Sequence, residues 1–405
     1  MAGFLKLLFI GISLNTYYFY NFRMPLISVV CLFIMTGILF GLSLEKFVRL
    51  PKNASVGVAL GYVLILSWSI IGLLFYLDSP DAKRFISFPI LTMAALVAGV
   101  LFRRIPLENL VRLYLVVHVS FFFLQFVTYF ATGYVIDYLA PVTGEEQRMF
   151  GGSFTFPIVD RFIRSAGLFN EPGTYVTYIA PFVALLDRWY EKSEANKQLF
   201  WISLFSMFLS FSAFGIVFGV LILLFCGSLR RIHRIFVFIA CSALVQPFLY
   251  YRFVLRPSLG LDTGLEFRQV FIDESFGFLL SNPIGIVFGS NLLVLDPRAE
   301  FSGSFNDSSL LLYFLHFAGP LLTLLFGAVF MYAFIKFDRA SRVALLILLL
   351  SKFSVFAPFF PFVLVAIFWK PPLPGKMTDL QPYQSHPPGG LMEQSNASLQ
   401  RAGQS

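Results

Sequence analysis

Apolar positions along this chain fall into runs long enough to cross a lipid bilayer. A spanning helix needs about 20 mainly apolar residues, and runs of that size lie near 4–22, 25–44, 54–77, 85–102, 110–131, 173–189, 235–253 and 309–335. A further run of 32 residues, 198–229, is too long for one untilted crossing. Small residues at Ser210, Ser212, Ala213 and Gly215 mark its middle, which predicts two short crossings. Residues 343–369 read either as one long helix or as a hairpin turning near 352–354 and Pro358. The expectation is an all-α polytopic membrane protein of 11 or 12 transmembrane helices, because lipid cannot satisfy an open backbone.

Composition agrees. The chain is 58% hydrophobic and 13% charged, with mean hydropathy +0.78, against about 45–50% apolar and about 25% charged in soluble domains. Such a chain cannot cover its apolar surface in water, which excludes a water-soluble enzyme. Its 52 phenylalanines exclude overall disorder. Cys31, Cys226 and Cys241 all sit in apolar runs without a CxxC or Cys/His cluster, so neither a disulfide framework nor a zinc site is expected. Lys6 and the apolar run after it lack a small-residue cleavage site and read as a retained first span.

Charge then sets orientation. Segments 45–53, 103–112, 187–197, 230–234 and 336–342 with Lys6 carry 16 Lys or Arg, and the intervening segments carry ten. Acids run the other way, six against fourteen. The positive-inside rule puts the basic set and the N-terminus in the cytoplasm. The formal net charge of +8 is thus mostly topology and gives no sign of nucleic-acid binding. Residues 1–369 form the expected bundle, followed by a polar tail, 370–405, rich in Pro, Gly, Ser and Gln and expected to be disordered.

Two outward loops, 132–172 and 254–308, are far longer than the rest. Loops of that size are functional or disordered, and these keep aromatic, glycine and apolar residues in runs. Residues 265–280 mix apolar and charged positions as an interfacial helix does. The loops hold Arg148, Arg161, Arg164, Arg256, Arg268 and Arg298 and no lysine. The guanidinium fork suits phosphate oxygens, so this selection on the outer side points to an anionic, diphosphate-like ligand. The alternative is pairing with the loops' own twelve acids.

The strongest local feature is RSAGLFNEPGTYVTYIAPFVALL, 164–186. Pro172 suits the first turn of a helix and holds Glu171 outside helical geometry. Glu171 thus stands at the mouth of a membrane helix, as a base and arginine partner or as a plain cap with a salt bridge. Arg161 and Arg164 would share a face if their stretch is helical. Asn306, Asp307, Ser308 and Ser309 precede the span that begins at Leu310; they are ordinary capping residues, yet Asp307 is also a carboxylate on the face of Glu171, and a general base could come from that pair. Gly285 and Gly289 in 281–291 permit close backbone approach. Of the charged residues and histidines only His118, His316 and Lys352 sit well inside a span, which disfavours an ion-coupled transporter.

R-x-x-G-x-x-x-E-P at 164–172, LSFSAFGIVFG at 209–219, Arg268 followed by NPIGIVFG at 282–289, and NDSSLLLYFLHFAG at 306–319 form an ordered series. It resembles the Wzy-type polysaccharide repeat-unit polymerases, relatives of the O-antigen ligases, over roughly 160–330. The resemblance implies a membrane-embedded glycosyltransferase of the type C class in a bacterial inner membrane, working on the periplasmic side. Its substrate would be an undecaprenyl-diphosphate-linked oligosaccharide, used without cofactor or metal. A chain-length regulator and a flippase of the same pathway are the candidate protein partners. By the resemblance Arg164 and Arg268 contact diphosphate, with Arg161 and Arg256 as further substrate-binding candidates, and Glu171 and Asp307 are the catalytic candidates. The ligase branch carries a histidine before the span that here begins at Leu310, where this chain has Asn306 and Asp307. Two other readings remain: a ligase moving a finished glycan to lipid A core or another acceptor, and a lipid-linked oligosaccharide flippase, against which the long loops speak.

Overall fold

A computed structural model describes residues 1–14, 26–47, 82–144, 146–149, 163–226, 309–353 and 357–369, with Ser67, Ile70, Ile71, Leu74, Ile239, Tyr250 and Val287. Met1–Phe368 forms one compact unit, and Trp369–Ser405 a second of which only Trp369 is described. Most of the runs 54–77 and 235–253, the loop 254–308 and the tail 370–405 lie outside the described residues.

The described part is all-helical. It comprises α1 Ala2–Ser13, α2 Leu26–Phe47, α3 Ala82–Arg104, α4 Leu107–Thr132, the single turn α5 Ala140–Thr143 and α6 Pro172–Leu186. A 3-10 turn, Asp187–Lys192, then leads to α7 Glu194–Leu209 and α8 Ala213–Phe225, with α9 Leu310–Lys336, α10 Arg339–Leu350 and α11 Phe360–Phe368 completing the series. Among the described residues two helices, Leu107–Thr132 and Gly319–Lys336, are long and apolar enough to cross a membrane.

The helix α6 is the hub. It packs against α4, α7, α8, α10 and α11, and of its residues only Thr174 is not buried. A helix apolar all round belongs inside other helices, and the sequence PGTYVTYIAPFVALL is one. Large rings fill the space around it: Tyr175 stacks on Phe122 of α4, Tyr178 on Phe353, and Phe182 on Phe359. Pro181 lies inside α6 and removes one backbone donor; the Tyr114 hydroxyl donates to the Tyr178 carbonyl in that same stretch.

The run 198–229 is interrupted where the small residues lie. Leu209 ends α7, Phe211 takes a positive φ of 47°, and the Ser212 hydroxyl accepts from the Gly215 N–H to start α8. Of the two readings of 343–369, the structure adopts two helices that turn back on each other. Arg188, just beyond α6, reaches both ends of the pair: it meets Asp338, which caps the start of α10, and donates to the Ala366 and Ile367 carbonyls at the end of α11. The run 309–335 is two helical pieces that meet at a kink, because Gly319, with φ 81° and ψ 160° ahead of Pro320, is non-helical.

Candidate functional site

The helix α4 ends in a left-handed cap at Gly133, whose N–H bonds the Tyr129 carbonyl. From there the chain folds back along α4. The Asp137 carboxylate gathers three N–H groups, those of Leu139, Ala140 and Gln147, at 2.7–2.9 Å. This fixes Gln147, whose side-chain amide donates to the Gly167 and Phe169 carbonyls at 2.8 and 2.6 Å. Its oxygen accepts from the Tyr138 N–H and from Gln125. Gln125, buried in α4, also donates to the Ile136 carbonyl and accepts from the Ala166 and Gly167 N–H groups. Both amides are saturated, as buried polar groups must be.

Those bonds hold a non-helical stretch, 163–171, against the middle of α4. Gly167 has φ +57°, and a Cβ there would stand 3.2 Å from the Phe122 nitrogen and 3.4 Å from the His118 carbonyl oxygen. Only glycine fits both the conformation and the approach. Phe122 lies about 22 Å along a helix about 39 Å long, so irregular backbone packs level with the interior of the helix. The two loop stretches are also pinned to each other. The Arg164 N–H donates to the Met149 carbonyl, and the Arg148 N–H to the Asn170 carbonyl, one residue before Glu171.

Glu171 precedes α6 with extended backbone, φ −152° and ψ 157°, and Pro172 opens the helix as its sequence predicts. Its side chain makes no capping bond to the helix N–H groups. Instead Oε1 accepts from the Thr174 hydroxyl at 3.1 Å and is ion-paired with the Lys352 Nζ. Lys352 arrives from the α10–α11 connection and lies across Gly173, where a Cβ would sit 3.5 Å from its Cε and 3.6 Å from Nζ. Beside it the Leu310 N–H that begins α9 donates to the Ser351 carbonyl at 2.6 Å. Three segments distant in sequence therefore meet at the mouth of α6.

Among the described residues the cluster is mainly cationic. Arg148 and Arg164 both bear electrostatically on the Lys352 ammonium, and Glu171 is the carboxylate paired with it. Lys352 is 12% and Glu171 23% exposed at the side chain, and Arg148 is open to the surface, so the cluster is sheltered but reachable.

Of the sequence-predicted site residues, Arg164 and Glu171 belong to this cluster. Arg161, Arg256, Arg268 and Asp307 lie outside the described residues, as do the interfacial segment 265–280 and Gly285 and Gly289. The condition under which Arg161 and Arg164 share a helical face is not met at Arg164, whose backbone is non-helical because it bonds across to Met149. The plain-cap reading of Glu171 fails in its capping half, since Lys352 and Thr174 take the carboxylate.

Sequence reasoning missed Lys352, Gln125 and Gln147 as site residues, and had Arg148 only as one of the loop arginines. The signal for Lys352 was present: a cation within an apolar run asks for a partner. His118 makes the bond expected of a histidine inside the bundle, to the Ser13 hydroxyl at 3.0 Å.

Chemically, the Glu171–Lys352 pair with Arg148 and Arg164 near it combines cations able to hold a phosphate-type anion with a carboxylate able to accept a proton. Among the described residues no group of three or more His, Cys, Asp or Glu side chains is placed to hold a metal ion. No protein-family model, curated protein or solved structure matches this chain.

Proposed function

We propose that the protein is a polytopic membrane glycosyltransferase that polymerises lipid-diphosphate-linked oligosaccharide repeat units on the outer face of a bacterial inner membrane. The observation that carries this reading is the Glu171–Lys352 pair beside Arg148 and Arg164, set on an irregular loop buried against the middle of α4. Non-helical backbone at membrane depth is tolerated only where protein covers it or it lines a cavity, and such a place suits a substrate that is half lipid. The ordered sequence motifs supply the reaction class.

In this reading the arginines hold the diphosphate of the donor. The acceptor hydroxyl oxygen bonds to the anomeric carbon as the bond from that carbon to the diphosphate oxygen breaks. The bonding electrons leave on the diphosphate, where the cations stabilise the growing charge. The hydroxyl proton passes to a carboxylate, Glu171 being the described candidate and Asp307 the other. Diphosphate leaves readily, so the chain's tasks are to orient the acceptor and hold the anion.

A glycan gel of a strain lacking the protein tests this, with complementation by wild type, Arg164→Ala, Glu171→Gln and Arg268→Ala, each checked for membrane level. The expected result is a ladder from wild type and a loss of about 100-fold or more in polymer from each variant. Full ladders from the variants would overturn the reading. Long chains that persist in the deletion strain, unattached to their acceptor, would show a ligase instead.

A further inference from the structure

The helix α9 is longer than the distance it has to cover. Its 27 residues would span about 40 Å if straight, against about 18 Å for the 12 residues of α10. Yet the two helices share both ends. Lys336 closes α9 two residues before Asp338 caps α10, and the Leu310 N–H that opens α9 donates to the Ser351 carbonyl just beyond α10. The excess length is taken up at the non-helical Gly319. Pro320 then starts the second piece in the first-turn position that suits it, and the Thr323 hydroxyl donates to the Gly319 carbonyl at 2.8 Å. Gly319–Lys336 is by itself long and apolar enough to cross a membrane. The first piece, 310–318, is therefore not needed for the crossing. It turns away from that axis at the tip of α10, beside Lys352 and the mouth of α6.

Two features make this first piece a movable part. Gly319 is non-helical and Pro320 has no N–H to give, so the hydrogen-bond ladder is weakest between the pieces. The sequence of the first piece, LLLYFLHFA, is apolar, with Leu310 buried beside Ser351 and Leu311 half exposed at the edge of the bundle. Lipid tails are as apolar as leucine, so it can exchange protein for lipid at small cost. The Glu171–Lys352 pair behind it is sheltered, and a ligand carried on a polyprenyl chain has to reach that pair from the bilayer. We propose that 310–318 is a side gate: hinged at Gly319 and Pro320, it swings away from the α10 tip to admit the diphosphate head of a polyprenyl-borne ligand to the mouth of α6. It closes again through the Leu310–Ser351 bond, which lies next to Lys352 in the chain. This inference rests on the proposed function for the identity of the ligand, but its test does not depend on polymerisation.

The backbone bond of 2.6 Å brings Leu310 and Ser351 within disulfide reach. The full-length protein, with Cys31, Cys226 and Cys241 replaced by alanine, receives Leu310→Cys and Ser351→Cys together and is placed in lipid nanodiscs. Diamide closes the disulfide, dithiothreitol opens it, and thiol counting gives the fraction cross-linked. The rates at which fluorescent polyprenyl diphosphate, added to the discs, and inorganic diphosphate, added to the water, bind are measured in both states. Only an open gate admits the lipid, so at about 90% cross-linking its association slows about tenfold, and reduction restores it. Inorganic diphosphate binds equally fast in both states, because it comes from the water. Either substitution alone, treated with diamide, keeps the rate of its reduced form.

Equal association of the lipid in the two states would overturn the gate. So would an equal slowing of both ligands, which would mean a distorted site and not a closed side entry, and so would a reduced protein that binds no polyprenyl diphosphate. Wild-type protein supplies a second measurement that needs no substitution. Its amide hydrogens over 311–318 should exchange faster than those over 322–334, as a locally opening segment does, and equal protection would also overturn the gate. A lock without effect, in a protein that still makes polymer, would leave the polymerase reading standing without the gate. The full lock pattern without polymer would do the reverse.

Discussion

Gln125 is one amide in a mainly apolar helix, yet four hydrogen bonds converge on it and bring the loop to the level of the helix interior. Replacing it by leucine keeps the volume and strands the Ala166 and Gly167 N–H groups and the Ile136 carbonyl. A buried unsatisfied group costs about 1–3 kcal/mol, reduced where a membrane protein's unfolded state finds other partners, so Gln125→Leu should destabilise by about 2–3 kcal/mol. A lowered midpoint in an SDS-unfolding titration is the expected outcome, and an unchanged one removes the network from the account. Gly167→Ala should fail in the same assay by about 1–2 kcal/mol for the left-handed backbone, and by more for the approach to Phe122.

At this scale the sequence was informative only locally. Pro172 foretold the extended backbone of Glu171, because the constraint acts between neighbours. Gln147, Ala166 and Gly167 meet Gln125 from 22 to 42 residues away, and Lys352 meets Glu171 from 181 residues away, and no local rule reaches them.

Helix α6 and the pair α10–α11 show how elements position the site. With α10 antiparallel to α6, one end of the contact brings Lys352 to Glu171 and the other brings Asp338 to Arg188. The hydrophobic pattern left 343–369 open between one helix and two, since both bury the same apolar run. What decides it is polar: Arg188 is satisfied only when the start of α10 and the end of α11 come together.

Burial works to raise the Asp338 carboxyl, but the Ser341 N–H, the Arg188 guanidinium and the Ser341 hydroxyl outweigh it and hold it below the ordinary aspartate value of 3.8. A depressed carboxyl stabilises the fold above its unfolded value and loses that contribution as pH falls through its folded value. Asp338→Asn should therefore be less stable than wild type at pH 7. The gap should close as the pH is lowered below 3.8. Because Asp338 is half exposed, solvent screening keeps the effect modest. Thermal unfolding of the two proteins across pH 3 to 7 checks this, and parallel curves would contradict it.

For the whole molecule, the sequence pattern carried the helical class and the interruption at Ser210–Ser212, because both are written in apolar runs and small residues. It did not carry the packing of 133–144, 146–149 and 163–171 along α4, which depends on two glutamines and one glycine. If α4 crosses with its basic end inside, Val142 faces the outer side and Glu191 the inner, and both are exposed. In a background without the native cysteines, an impermeant thiol reagent added to intact cells should label Val142→Cys and spare Glu191→Cys. Opening the cells should make both react, and the reverse pattern would invert the topology and put the candidate site on the wrong side.

The central claim is that this cluster joins lipid-diphosphate-linked sugars. Its most direct test is purified full-length protein in nanodiscs, given lipid-linked repeat units and nothing else, with products resolved by length. The account predicts a ladder from wild type and none from Arg164→Ala or Glu171→Gln. Wild-type protein that leaves the repeat units single, or variants that build ladders as long as wild type, would contradict it.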